Sequence, residues 1–172
     1  PNDPIIKPKT ANKMDYEVEV AIVIGKKGKN ISEEKAQDYV FGYCIVNDVS
    51  ERSWQKERGG QWIKGKSIAG PCGPYLVTKD EIKGINNLHL SLDVNGERRQ
   101  TGNTERMIFN FDFLISHISQ FMTLYPGTII TTGTPAGTAM EMDVPMFLQP
   151  GDKLNLKVDQ LGEQNHIVEE GN

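Results

Sequence analysis

The stretch Tyr16-Glu17-Val18-Glu19-Val20-Ala21-Ile22-Val23-Ile24-Gly25 decides how this chain is read. It is rich in Val and Ile and closes on Gly, so it predicts a β-strand. Side chains alternate along a strand, which puts Tyr16, Val18, Val20, Ile22 and Ile24 on one face. Glu17 and Glu19 share the other face, followed by Ala21 and Val23. Same-face neighbours lie roughly 6.6 Å apart along a strand. Two carboxylates at that spacing, buried alone beside apolar neighbours, repel and raise each other's pKa. A hard divalent cation with oxygen ligands, such as Mg²⁺ or Ca²⁺, removes the conflict. A strand with one solvated glutamate face fits the same alternation, and the stretch taken alone favours that plainer description.

Before the strand, Pro1 to Lys13 has no periodicity and reads as a loop. The first residue is Pro, with no initiator Met or signal peptide, and native residues are expected before it. After the strand, Gly25-Lys26-Lys27-Gly28-Lys29-Asn30 reads as a solvated turn without a P-loop pattern. Ser32 is placed as the N-cap of a helix with Glu33 and Glu34 in its first turn, ending near Phe41 at Gly42. Tyr43 to Val46 is a short strand. It delivers Asn47-Asp48-Val49-Ser50-Glu51-Arg52, polar groups at an element end, where sites are commonly built; an Asx-type turn around Asp48 fits as well. Lys64 and Lys66 lie in a Gly- and Pro-rich stretch and are candidate anion contacts, with surface lysines the default.

Tyr75–Thr78 and Leu88–Val94 read as strands, and Asn95-Gly96 signals a hairpin into Glu97–Gln100. Asn110 opens a helix whose apolar positions, Phe111, Leu114, Ile115, Ile118, Phe121 and Met122, follow the 3.6 period of a core-packing helix. Pro126-Gly127 ends it. Thr128–Thr132 is a strand, Gly133 to Gly137 a tight turn, and Leu154–Val158 another strand before a last hairpin at Gly162. The expected class is α+β with strands dominant, in one domain over residues 1–172.

Composition narrows the function classes. The 172 residues suffice for one core, and the formal net charge of −4 mixes both signs. No basic stripe points to nucleic acid, and no apolar run is long enough to span a bilayer. Cys44 and Cys72 could pair. They form neither a disulfide framework nor a zinc spacing, which favours a reducing cytoplasm. His89, His117 and His166 are scattered singly and read as structural or exposed.

Taken together, the motifs resemble the C-terminal catalytic domain of the fumarylacetoacetate hydrolase family. The matching residues are Asp15-Tyr16-Glu17-Val18-Glu19, Gly42-Tyr43, Asn47-Asp48-Val49-Ser50 with Arg52, Trp54-Gln55, and Gly65-Lys66-Ser67. Further on come Gly73-Pro74, Asn95-Gly96-Glu97, Met107-Ile108-Phe109, Thr132-Gly133-Thr134-Pro135-Ala136-Gly137, and Phe147-Leu148 with Pro150-Gly151-Asp152. The match runs in order from Pro1 to Val168.

The resemblance implies a mixed β-sheet roll with two main helices. It implies Glu17, Glu19 and Asp48 as ligands of Mg²⁺ (or Mn²⁺, or Ca²⁺), and Arg52, Gln55, Lys66 and Thr134 as the lining of a keto-acid pocket, with Lys66 as the catalytic cation. The implied activity is metal-dependent hydrolysis of a C–C bond in an acylpyruvate or 2,4-diketo acid through a metal-stabilised enolate. Decarboxylase, isomerase or ureidoglycolate lyase activity, or a silent metal-binding relative, are the alternatives. A homodimer is implied, with Met107–Phe109 and Pro145–Leu148 in need of cover.

Four departures from the family pattern stand out, the first being that Thr138 to Val144 lacks the expected Gly/Lys/Pro pattern. No His occupies the place of the family's general base, which is expected upstream of Pro1 with a Glu partner. Glu51 stands where relatives have a small residue and is expected to disturb the pocket. The Lys66–Pro74 stretch is short.

Overall fold

The computed structural model describes residues 1–60, 63–66 and 68–171. Trp62 and Ser67 lie outside these residues, as does the side chain of Lys64. Among the described residues three sheets carry the fold. Strands β1 (Ile5–Lys7), β7 (His89–Val94), β8 (Glu97–Asn103), β10 (Lys153–Val158) and β11 (Gly162–Glu170) form a five-stranded sheet in the order β1-β11-β10-β7-β8. Strands β3 (Val18–Ile24), β4 (Val40–Asn47), β6 (Cys72–Thr78) and β9 (Ile129–Thr131) form a four-stranded sheet in the order β6-β4-β3-β9. A two-stranded ribbon pairs β2 (Met14–Asp15) with β5 (Ser50–Glu51). Only β1 and β11 pair in parallel among the described strands.

The alternation in β3 decides how the sheets meet. Val18, Val20, Ile22 and Ile24 enter the main core with Tyr43 and Ile45 of β4. Leu90, Leu92, Val94, Leu154, Leu156 and Val158 of the five-stranded sheet close that core from the opposite side. Ala21 and Val23, on the other face of β3, join Cys44, Val46 and Cys72 in a second, smaller apolar cluster. Glu17 and Glu19 share this second face, as the sequence pattern requires.

Helix α2 (Phe111–Phe121) starts where the sequence places it. Asn110 is its N-cap and accepts the Phe113 N–H at 2.8 Å. Phe111, Ile115 and Ser119 are its buried residues, and Phe121, expected in the core, is 72% exposed. The helix stops at Phe121, before Pro126. The segment after Ser32 differs from expectation. It closes as a 3₁₀ helix over Glu33–Tyr39, Ser32 makes no side-chain cap, and Phe41 already belongs to β4. Only Ala36 is buried there, so one inward residue docks the segment against α2 and no second apolar turn enforces the α-helical period. Gly42 is therefore an interior strand residue and not a helix stop. A Cβ on it would lie 2.1 Å from the Val77 carbonyl of β6.

Candidate metal centre

The register of β3 on β4 brings the site together. Val18 faces Asn47, so Glu17 and Asp48 meet one position beyond that pair. The Asp48 N–H donates to the Glu17 carbonyl at 3.0 Å, and the Glu17 N–H donates to Asn47 Oδ1 at 3.0 Å. Asn47 Nδ2 is buried and meets no acceptor among the described residues. Glu17 and Glu19 are 8% and 3% exposed, which excludes the solvated-face description of β3. Glu17, Glu19 and Asp48 each offer a carboxylate oxygen, and the three oxygens lie within 4.8 Å of one another.

Two cations share this cluster. Lys66 Nζ contacts Glu17 Oε2 and sits 3.0 Å from Asp48 Oδ2. Arg52 Nη2 lies 2.7 Å from Glu17 Oε1, while its Nε donates to Asp15 Oδ2 at 2.8 Å and its Nη1 to Gln55 Oε1 at 3.2 Å. Burial works against the Arg52 charge, but Asp15 and Glu17 outweigh it and hold its pKa above the usual value. No ion pair reaches Glu19 among the described residues; its Oε2 accepts the Gly133 N–H at 2.8 Å. Burial pushes the Glu19 carboxyl up to about 7, a rise that the Gly133 N–H opposes and the neighbouring Asp48 and Glu17 carboxylates reinforce.

Local structure explains how the cations are delivered. Arg52 opens a one-turn helix, α1 (Arg52–Gln55), which the periodicity does not reveal. Its N-cap is Glu51. One Glu51 oxygen accepts the Trp54 N–H and the Ser53 hydroxyl; the other accepts the N–H groups of Asn12 and Lys13. Burial raises the Glu51 pKa, but these donors outweigh it and hold the carboxyl below the usual range. Glu51 thus ties the 12–13 segment to α1, and its charge is spent on backbone amides. The expectation that it disturbs the pocket is corrected. Lys66 ends a 3₁₀ turn over Ile63–Lys66 that packs directly on α1. A Cβ on Gly65 would lie 2.6 Å from Gln55 Cα, so a bare glycine lets this turn approach.

Asp15 is the site-supporting residue that sequence reading misses. It is fully buried. Its Oδ1 accepts the Tyr16 and Ala139 N–H groups, and its Oδ2 accepts the Met140 N–H and Arg52 Nε. No periodic or spacing signal marks it; three of its four donors, on Arg52, Ala139 and Met140, lie far along the chain. Thr134 lies on the loop beside Glu19. Its hydroxyl donates to the Val18 carbonyl at 2.9 Å and accepts from Gln100 Nε2 at 2.9 Å. Gly133, Thr134 and Pro135 line one side of a cavity of about 510 Å³, closed by Leu90, Met107 and Leu114. The three histidines bond elsewhere: His166 to the Asp3 carbonyl and Gln164, His89 to Thr101, and His117 stacks on Phe113.

Among the described residues four carboxylates meet two cations, which leaves negative charge in excess, and the groups able to ligate an ion, the carboxylates of Glu17, Glu19 and Asp48, are hard oxygens. That donor set fits Mg²⁺, Mn²⁺ or Ca²⁺ rather than a soft thiophilic metal.

Comparison with known proteins matches the chain to a described group. A family model described as "Fumarylacetoacetate (FAA) hydrolase C-terminal" matches residues 1–169. The chain is similar to a solved fumarylacetoacetate hydrolase from psychrophilic Exiguobacterium antarcticum, with a TM-score of 0.93 and 38% identity over 99% of this chain and 62% of that one. It is similar to 2-hydroxyhepta-2,4-diene-1,7-dioate isomerase from Mycobacterium marinum, with a TM-score of 0.89 and 37% identity over 99% and 64% of the two chains. Maleylpyruvate hydrolase from Sphingobium sp. SYK-6 gives a TM-score of 0.87 and 32% identity over 99% and 60%. The chain spans about 59% of the length of the Burkholderia cenocepacia relative to which it is 53% identical.

Proposed function

Because the chain belongs to the fumarylacetoacetate hydrolase family, we propose that it is the catalytic domain of a divalent-metal-dependent enzyme that hydrolyses a C–C bond in an acylpyruvate or 2,4-diketo acid. The observation that carries this reading is the convergence of Glu17, Glu19 and Asp48 on one point beside Lys66 and Arg52. When bound there, Mg²⁺ or Mn²⁺ supplies Lewis acidity toward the oxygens of a keto acid. The residues of this chain bind and orient. Arg52, locked between Asp15 and Glu17, fixes the Glu17 carboxylate in place. Lys66 is the mobile cation: its side chain is 29% exposed, and it can leave the carboxylates to pair with the substrate's carboxylate. Gln55 and Thr134 complete the polar lining. In the reaction, the hydroxyl of water joins the acyl carbon and its proton goes to the pyruvate methylene carbon, giving a carboxylic acid and pyruvate.

An isomerase acting on an unsaturated keto acid is the second reading, and the similarity to the Mycobacterium marinum isomerase favours it. The reading of the site also includes work in the cytoplasm, which the two free thiols support, and a homodimer. Ile108 at 92% and Phe109 at 53% exposure support the dimer by leaving an apolar edge uncovered. No helix among the described residues is long and apolar enough to cross a membrane.

The test is a substrate panel with the full-length protein and Mg²⁺: acylpyruvates, oxaloacetate and a dienoic keto acid, followed by product analysis. Pyruvate release from an acylpyruvate, abolished by EDTA and restored by Mg²⁺, is the expected result. Double-bond migration without C–C cleavage selects the isomerase, and turnover of none of the panel overturns both readings.

A further inference from the structure

The small apolar cluster on the site face of β3 and β4 holds both cysteines of the chain. Cys44 Sγ and Cys72 Sγ lie 3.0 Å apart, and both are free thiols. The register makes this contact. Val46 of β4 faces Cys72 of β6, and the ladder shifts between Tyr43 and Ile45, at Cys44 itself. Cys44 and Val46 share a strand face, so Cys72, opposite Val46, is the diagonal neighbour of Cys44. An S–S bond is about 2.05 Å long, so the two sulfurs need to close by roughly 1 Å. Cys44 is buried, and Cys72 is partly open to solvent. The two thiols share a hydrogen bond, and this contact holds the Cys72 thiol below its ordinary pKa and raises that of Cys44. One reachable thiolate beside a buried resolving thiol is the arrangement that redox-sensitive pairs use.

The geometry points to Cys44 and Cys72 as a peroxide-oxidisable thiol pair whose disulfide closes the loop carrying Asp48, Arg52, Gln55 and Lys66. The Cys72 thiolate attacks one oxygen of hydrogen peroxide. The O–O bond breaks, a sulfenic acid forms on Cys72, and hydroxide leaves to become water. The Cys44 sulfur then attacks the Cys72 sulfur. The S–S bond forms, and the sulfenic hydroxyl leaves as a second water with the Cys44 proton. Two thiols lose two electrons, which reduce one peroxide to two waters. A dithiol reductant reverses the change. The cysteines are 28 residues apart, and the closed loop spans four of the site's side chains. The bond therefore restrains the segment that delivers Lys66 to Glu17.

The proposal is independent of the substrate reading, because its test reads mass and melting temperature. The protein is treated with hydrogen peroxide at one to ten equivalents, then analysed by intact mass and non-reducing peptide mapping. The expected result is a loss of 2 Da, a peptide pair joining Cys44 to Cys72, and a melting temperature higher by roughly 5–10 °C. Dithiothreitol should restore the starting values. In Cys44→Ala, dimedone should trap a sulfenic acid on Cys72 and the melting temperature should not rise. In Cys72→Ala, Cys44 should stay unmodified. Wild-type thiols that survive this treatment overturn the proposal. So does oxidation that ends in a disulfide between molecules, or in a sulfinic acid on Cys72 with Cys44 free.

Discussion

Asp15→Asn tests whether the site is held by a buried anchor beneath it. The substitution keeps the shape of the side chain and removes its charge. Asp15 accepts four hydrogen bonds, two on each oxygen: Tyr16 N–H at 2.9 Å and Ala139 N–H at 2.8 Å on one, Met140 N–H at 3.1 Å and Arg52 Nε at 2.8 Å on the other. An asparagine has one oxygen. Whichever way its amide is turned, the NH₂ group faces two donors, and two buried N–H groups lose their acceptor. Each unpaired donor costs about 1–3 kcal/mol. Arg52 is buried and also loses one of its two carboxylates. The sum is on the order of 3–5 kcal/mol. For a domain of this size that lowers the melting temperature by roughly 6–20 °C. Urea denaturation followed by circular dichroism measures the loss. In an Arg52→Met background the same substitution should cost less, with a coupling of about 1–3 kcal/mol in the double-mutant cycle. Mn²⁺ binding should weaken as well, since Arg52 loses the Asp15 anchor that positions it against Glu17. An Asp15→Asn protein that melts within 2 °C of wild type and binds Mn²⁺ unchanged would refute the reasoning.

Three further outcomes follow from the same geometry. Lys66→Ala should weaken oxalate binding to the Mn²⁺-loaded protein by about 1.5–3 kcal/mol, while binding of Mn²⁺ alone, read by electron paramagnetic resonance, does not weaken, because the competing ammonium is gone. Glu19→Gln should lower Mn²⁺ affinity by on the order of tenfold or more and yet raise the melting temperature in EDTA at pH 8. Glu19 has its native pKa raised to about 7, so its ionised form is penalised in the fold above that pH, by up to about 3 kcal/mol; a lower melting temperature there contradicts this. His166 is held below its ordinary pKa by burial, which the Asp3 carbonyl opposes. Its neutral form therefore favours the fold, and that stability is lost as pH falls from about 6.5 toward the lowered native value. Between pH 7.5 and 5.5 wild type should lose more melting temperature than His166→Gln, as differential scanning fluorimetry would show.

The sequence by itself determined the alternation of β3, and with it which side chains face the core. Glu17 and Glu19 had to share a face with Ala21 and Val23 because strand periodicity is local. The N-cap at Asn110 and the hairpin at Asn95-Gly96 were equally legible, since each is a short-range backbone preference. Only the tertiary structure decided what that second face meets. It buried the glutamates, set Asp48 beside Glu17 through the register of β4, and brought Lys66 and Arg52 to the same point from segments with no periodic signal. It also reassigned two residues. Gly42 reads locally as a helix stop, but the close approach of β6 makes it an interior strand glycine. Glu51 reads as a stray charge in the pocket, but amides from Asn12, Lys13 and Trp54 make it a cap. The physical reason is the same in each case. Propensity and periodicity act over a few residues, whereas the partners of a buried charge are fixed by which distant donors the packed sheets bring within hydrogen-bond reach.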